Sequence, residues 1–246
     1  MKWKMNEEKK SKRVVGIIGG MGPEATILLI SRVIAKTPAD DDSDHVPLII
    51  DCNTQVPSRI KAIIEKTGEN PGPTIAMMAK GLEQNGACAL AMPCNTAHHY
   101  KSYIMNSVHI PFLDMIELSA SRLTSMKIKS AGVLASPAVQ QTGIFDQAFS
   151  KKGIATLYPT NQMELLEAIQ NVKKFGDNSS SRSILLSSAE KLVGCNADIL
   201  VVACSELSII ADELKDRHCL LDTIDVLAEE IIKFSGLSLK GDSRSK

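Results

Sequence analysis

The sequence alternates short apolar runs with amphipathic stretches, and few architectures accommodate that alternation. The apolar runs are VVGIIGG (14–20), VPLIID (46–51), ACALAMPC (87–94), IPFLDM (110–115), SAGVLAS (130–136), IATLYPT (154–160) and ADILVVACS (197–205). Each is a short block of β-branched or aliphatic side chains, as expected of strands buried on both faces. Between them lie the helical candidates EATILLISRVIAK, GPTIAMMAKGLEQNG, MIELSASRLTSM, QMELLEAIQNVKKFG and SRSILLSSAEKLVG. Strand alternating with helix predicts an α/β protein whose sheets are mostly parallel.

An internal repeat refines this prediction. GACALAMPCNT (86–96) aligns with NADILVVACSE (196–206), which puts Cys94 and Cys204 at the same place in the two copies. Upstream, VVGIIGGMG (14–22) aligns with SAGVLASPA (130–138) at a similar offset, matching Gly16 to Gly132. Two copies of this length describe two lobes related by a pseudo-twofold axis, not a solenoid. The expected division is a first lobe over 14–115 and a second over 116–214, with about 215–235 packing back on the first. Residues 1–13 and 237–246 read as tails. Ligands of open parallel sheets bind beyond the carboxyl ends of the strands. Both cysteines stand at such ends, so the expected active site is the cleft between the lobes.

Composition removes several function classes. The 28 Lys and Arg balance the 28 Asp and Glu over 246 residues, which leaves no electrostatic footprint for nucleic acid. No stretch approaches the roughly 20 apolar residues of a membrane span, and VVGIIGG is too short for the core of a secretory signal. The reading is therefore cytoplasmic. None of the six cysteines forms a CxxC pair, so zinc-ribbon and thioredoxin patterns fail. The acidic run ADDDSDH (39–45) lacks calcium-loop spacing and reads as a solvated loop.

Two thiols facing each other across a cleft suit one chemistry in particular. Inverting a stereocentre with a weakly acidic C–H needs a base on one face and an acid on the other. Thiolate and thiol differ by one proton at a tunable pKa and can exchange these roles. Polar neighbours of the thiols (Asn95, Thr96 and Ser205, with backbone N–H groups) are candidates to hold a carboxylate and stabilise developing charge.

GIIGGMGPEAT (16–26), MPCNTAH (92–98) and ACSEL (203–207) carry a specific resemblance. The chain resembles the aspartate/glutamate racemase superfamily over about residues 14–235, and within it the pyridoxal-phosphate-independent aspartate racemases. The resemblance implies two Rossmann-like α/β lobes, no cofactor, a small amino-acid substrate and a homodimer. It implies Cys94 and Cys204 as the acid/base pair, Asn95 and Thr96 as holders of the α-carboxylate, and Arg59 as partner of a side-chain carboxylate. Met21, Ser136 and Ser205 complete the substrate-binding set, with His98 and Glu206 in support; Glu206 either orients a neighbour or complements its helix terminus.

Three departures from the family pattern stand out. Ala203-Cys204-Ser205-Glu206 replaces Gly-Cys-Thr-Glu, and the turn Ser136-Pro137-Ala138-Val139 replaces Thr-x-Gly-Thr. Met163 occupies, by ungapped count, the place of a lysine that helps bind the distal carboxylate. These departures keep a broad-specificity amino-acid racemase, and a dicarboxylate-binding protein without turnover, as alternatives to an aspartate racemase.

The remaining motifs admit plainer readings. Gly20-Met21-Gly22-Pro23-Glu24-Ala25 outlines a dinucleotide fingerprint. Asp51, however, lies too far along the chain to be its ribose-binding acid, and the fingerprint gives no reason for paired cysteines. The preferred reading is that these glycines admit a small carboxylate to a helix N-terminus. Cys52, Cys88, Cys195 and Cys219 are expected to pack as small hydrophobes, Cys52 being the one nearest the cleft.

Overall fold

The computed structural model describes residues 12–242. The first half runs β1 (Val15–Gly19), α1 (Pro23–Lys36), β2 (Leu48–Cys52), α2 (Gly72–Gln84), β3 (Ala89–Ala91), α3 (Lys101–Met105), β4 (Phe112–Leu113) and α4 (Met115–Ser125). The second runs β5 (Ser130–Leu134), α5 (Pro137–Thr142), α6 (Ile144–Ser150), β6 (Ala155–Leu157), α7 (Gln162–Phe175) and α8 (Ser179–Gly194). It continues through β7 (Ile199–Val202), α9 (Ser205–Ile209), α10 (Asp212–Arg217), β8 (Leu220–Asp222) and α11 (Thr223–Ser235). The strands form two four-stranded parallel sheets, β2-β1-β3-β4 and β6-β5-β7-β8, with the same order in each.

The inner strands are apolar because helices cover both faces of each sheet. Every residue of β1, β3 and β7 is buried. The repeated glycine has a packing cause: a Cβ at Gly16 would come 2.9 Å from Leu90 and 3.1 Å from Leu82, and one at Gly132 would come 3.0 Å from Leu192. Each glycine lets a helix, α2 or α8, lie close on its sheet.

The last helix of each half crosses to the other. From α4, Ile116, Ala120 and Leu123 enter the core of the second sheet with Val133 and Val201. From α11, Ile224, Leu227, Ile231 and Ile232 enter the core of the first with Val15, Ile17 and Ala89. Both helices are capped by an aspartate at a strand end. Asp114 accepts from the N–H groups of Ile116 and Glu117, and Asp222 from that of Ile224.

Charges join the crossing helices to α1. Arg32 contacts Asp222 at 2.6 Å and Asp225 at 3.1 Å. Glu229 on α11 receives Lys36 at 3.0 Å and Arg122 of α4 at 2.5 Å. Burial alone would push the Glu229 carboxyl up, but Arg122 and Lys36 outweigh it and hold the group below the usual carboxylate range. A depressed carboxyl stabilises the fold above its unfolded pKa, and that contribution is lost as pH falls through the folded value. Glu229→Gln is therefore expected to cost about 1 kcal/mol at pH 7 and progressively less as pH falls below the ordinary carboxylate range, as read from thermal unfolding over a pH series.

Some elements differ from the expectation. The strand β8 lies within a stretch expected to be a packing-back segment, since Cys219-Leu220-Leu221 gives too short an apolar signal. The runs at 110–115 and 154–160 shrink to two and three paired residues. Most of the 1–13 segment and the last four residues of 237–246 lie outside the described residues. Within the described part, the Arg13 N–H donates to the Ser235 carbonyl, and Leu237 and Leu239 pack against the first core, so these positions are not free tails. No helix among the described residues is long and apolar enough to cross a membrane.

Candidate active site

The carboxyl ends of the two sheets converge on a small cavity of about 100 Å³. Cys94, following β3, and Cys204, following β7, both line it and are both buried. Its wall also includes Met21, Ser58, Arg59, Thr96, Ser136, Lys173 and Glu206. One thiol comes from each half, as the repeat requires.

The second thiol has a built environment. The Cys204 S–H donates to Glu206 Oε2 at 3.1 Å, the Ser205 hydroxyl donates to the same oxygen at 3.1 Å, and the Lys173 ammonium contacts Oε1 at 3.1 Å. Burial and then the adjacent carboxylate push the Cys204 thiol well above its ordinary pKa, against the backbone N–H groups of Leu207 and Glu206. Cys204 is thus a thiol at neutral pH. Burial would also raise Glu206, but the Lys173 charge and the thiol hydrogen bond reverse this and hold it ionised. Glu206 contacts Cys204 and Lys173, and its own backbone N–H at the start of α9 also favours the ionised form.

Thr96 and Ser136 approach each other across the cleft, their hydroxyl oxygens 3.4 Å apart. Ser136 caps no N–H of α5 with its side chain, which leaves its hydroxyl to the cavity. The departures in this turn are explained by the helix: Pro137 sits at its first position, where no N–H is needed, and Val139 is core. Arg59 lines the cavity, with Nη1 donating to the carbonyl of Pro57 at 3.1 Å and Nη2 to that of Met21 at 3.3 Å.

Other expected residues lie elsewhere. Asn95 is not on the cavity wall: its amide donates to Thr223 Oγ1 at 3.1 Å, between the halves, and its Oδ1 has no partner among the described residues. Ser205 is turned to Glu206 rather than to the cavity. His98 is buried and off the cavity wall, with its ring against the Cys94 carbonyl. Met163 is 71% exposed, so no distal carboxylate meets it. Lys173, about three turns along the same helix, places a cation on the cavity wall. Its signal was present in the i, i+3, i+4, i+7 spacing of Leu166, Ile169, Gln170 and Lys173, which places all four on one face of α7 and on the cavity wall.

The glycine turn also has a local cause. Gly20 has φ +88°, and a Cβ there would meet the Asn53 backbone at 2.4 Å, so the close approach is to the β2 loop. The four remaining cysteines are exposed, contrary to the packing expected of them.

The model of the family described as Asp/Glu/Hydantoin racemase matches residues 18–231. The chain belongs to this family. It is similar to the solved aspartate racemase of Picrophilus torridus, with 31% identity, a TM-score of 0.82, and coverage of 94% of this chain and 98% of that one. It is 23% identical to the broad specificity amino-acid racemase RacX of Bacillus subtilis (strain 168), over 89% of this chain and 96% of that protein. The glutamate racemase of Francisella tularensis, solved with D-glutamate, shares the racemase fold at a TM-score of 0.63 and 18% identity, with coverage of 91% of this chain and 81% of that one.

Proposed function

We propose that the protein is a cofactor-independent amino-acid racemase acting on aspartate by two-cysteine proton transfer. The observation that carries this reading is the presence of one buried thiol from each half on the wall of one cavity. In one direction Cys94 takes the α-proton and Cys204 gives its own to the opposite face; in the other the roles exchange. Each step moves one proton from carbon to sulfur and one from sulfur to carbon. Glu206 holds Cys204 protonated and oriented until the carbanion forms, and Lys173 offsets the negative charge that then gathers on sulfur and carboxylate.

Carboxylate recognition follows from the cavity's cations and hydroxyls. Thr96 and Ser136 form a hydroxyl pair suited to one carboxylate. Arg59 and Lys173 are the cations for the other, and a guanidinium binds such a group with fixed geometry. The Lys173–Glu206 pair carries no net charge, which leaves Arg59 as the uncompensated cation of the wall, set against the Cys94 thiolate and a substrate of net charge minus one. The similarity to the Picrophilus torridus aspartate racemase supports aspartate. The similarity to RacX supports a second reading with wider side-chain tolerance, to which Leu166, Ile169 and Gln170 would contribute an apolar and amide wall.

Solvent deuterium incorporation at Cα, measured with D- and L-aspartate, D- and L-glutamate and neutral amino acids, tests both readings. Fast exchange confined to aspartate is the expected result. Comparable exchange with neutral amino acids favours the second reading, and exchange with none leaves a binding protein. The homodimer belongs to the same proposal, with a light-scattering mass of two chains expected.

A further inference from the structure

The two thiols share more than a sequence position: four residues after each cysteine, a side chain turns back onto that cysteine's carbonyl. His98 Nδ1 lies 2.9 Å from the Cys94 carbonyl oxygen, and Ser208 Oγ lies 3.2 Å from that of Cys204. A carbonyl only accepts, so Nδ1 carries the proton. The Met115 N–H donates to His98 Nε2 at 3.2 Å, so the ring is the neutral Nδ1–H tautomer with both nitrogens used. Burial favours the same neutral form.

Each of these side chains also reaches the start of a crossing helix. Met115 is the first residue of α4, which is embedded in the second core. The Ser208 hydroxyl, with one proton, donates at the shorter distance of 2.9 Å to Asp222 Oδ1, the cap of α11, which is embedded in the first, while the Ser208 backbone N–H donates to the Cys204 carbonyl at 3.0 Å. The backbone carrying each thiol is therefore tied to a helix anchored in the opposite half.

We propose that His98 and Ser208 are a matched pair of positioning residues that fix the separation of the two reactive sulfurs by registering each cysteine against the helix its own half donates to the other. The inference rests on the racemase reading of Cys94 and Cys204, and neither residue touches substrate. Proton transfer to a carbon held between two sulfurs is sensitive to their placement, since a misplacement of about 1 Å can cost about 10²-fold in rate.

The test compares Ser208→Ala and His98→Gln with the unaltered protein. Gln keeps a polar group near the Nε2 position and loses the donor at Nδ1. The first readout is the division of the effect between kcat and KM for aspartate: kcat is expected to fall about 10–100-fold, with KM within about twofold. The second needs no substrate. Iodoacetamide labelling of each cysteine, resolved by peptide mass spectrometry, is expected to quicken at Cys204 only in Ser208→Ala and at Cys94 only in His98→Gln. General loosening of the fold would quicken both thiols in both variants and would overturn the proposal, as would unchanged labelling. If the unaltered protein exchanges no α-proton, the racemase reading fails, while labelling still decides whether the clamps exist.

Discussion

Cys94→Ala and Cys204→Ala are each expected to lower the racemisation rate by about 10²–10⁴-fold, the range lost with a positioned acid or base, while leaving the thermal midpoint nearly unchanged. Both side chains are small and border the cavity, so truncation opens little new void in the cores. The residual chemistry is the sharper result. The thiol left in each variant still faces one side of Cα, so slow solvent exchange is expected with one enantiomer in Cys94→Ala and with the other in Cys204→Ala. Serine at either position is expected to be nearly as inactive, because a hydroxyl is a far weaker acid than a thiol. Circular dichroism for inversion and NMR for α-deuterium, run on the same samples, separate the two outcomes. Full activity in either alanine variant rules out a two-thiol mechanism.

Lys173→Met carries the second large effect, and it divides between stability and catalysis. The ammonium is the charge partner of Glu206, whose side chain is only 11% exposed; that of Lys173 is 46% exposed. Removing the cation strands a carboxylate in a poorly hydrated place, at a cost of about 1–3 kcal/mol with the lower end favoured by the lysine's exposure. The double change Lys173→Met with Glu206→Gln removes the stranded charge and is expected to recover most of the midpoint. Activity should not return, since carboxylate binding and the control of Cys204 are then both gone. The expected loss in kcat/KM for aspartate is about 10²-fold in the single variant, from a charged hydrogen bond worth about 1.5–3 kcal/mol. Recovery of activity in the double variant would show that Lys173 serves the fold alone.

Much of the site was legible in the sequence because the chain says the same thing twice. Gly16 and Gly132 mark the central strands of two sheets, and Cys94 and Cys204 mark the ends of their neighbours. Repetition filters out accidental patterns, which is why two cysteines stood out from six. The exposure of the other four depends on what packs over each position, which an apolar run does not report. Lys173 escaped because counting positions along a helix assumes that no turn has been gained or lost, whereas the face of α7 reports directly on what borders the cavity. Asn95 matches a family motif position, while its amide joins the two halves through Thr223. The link from His98 to α4 was beyond reach, since it joins a side chain to a backbone N–H whose proximity only the fold creates.

The crossing of α4 and α11 bears on how such a chain is made and cut. A break in the connection between α4 and β5 would release two pieces, each carrying the helix that seals the other's sheet and lacking its own cover. Either piece alone would expose an apolar sheet face, while the two mixed together have a built-in reason to reassemble. Synthesis meets the same constraint: the sheet made first waits for α11, which follows the last strand of the second sheet, so the earlier half completes its folding only when the later one arrives.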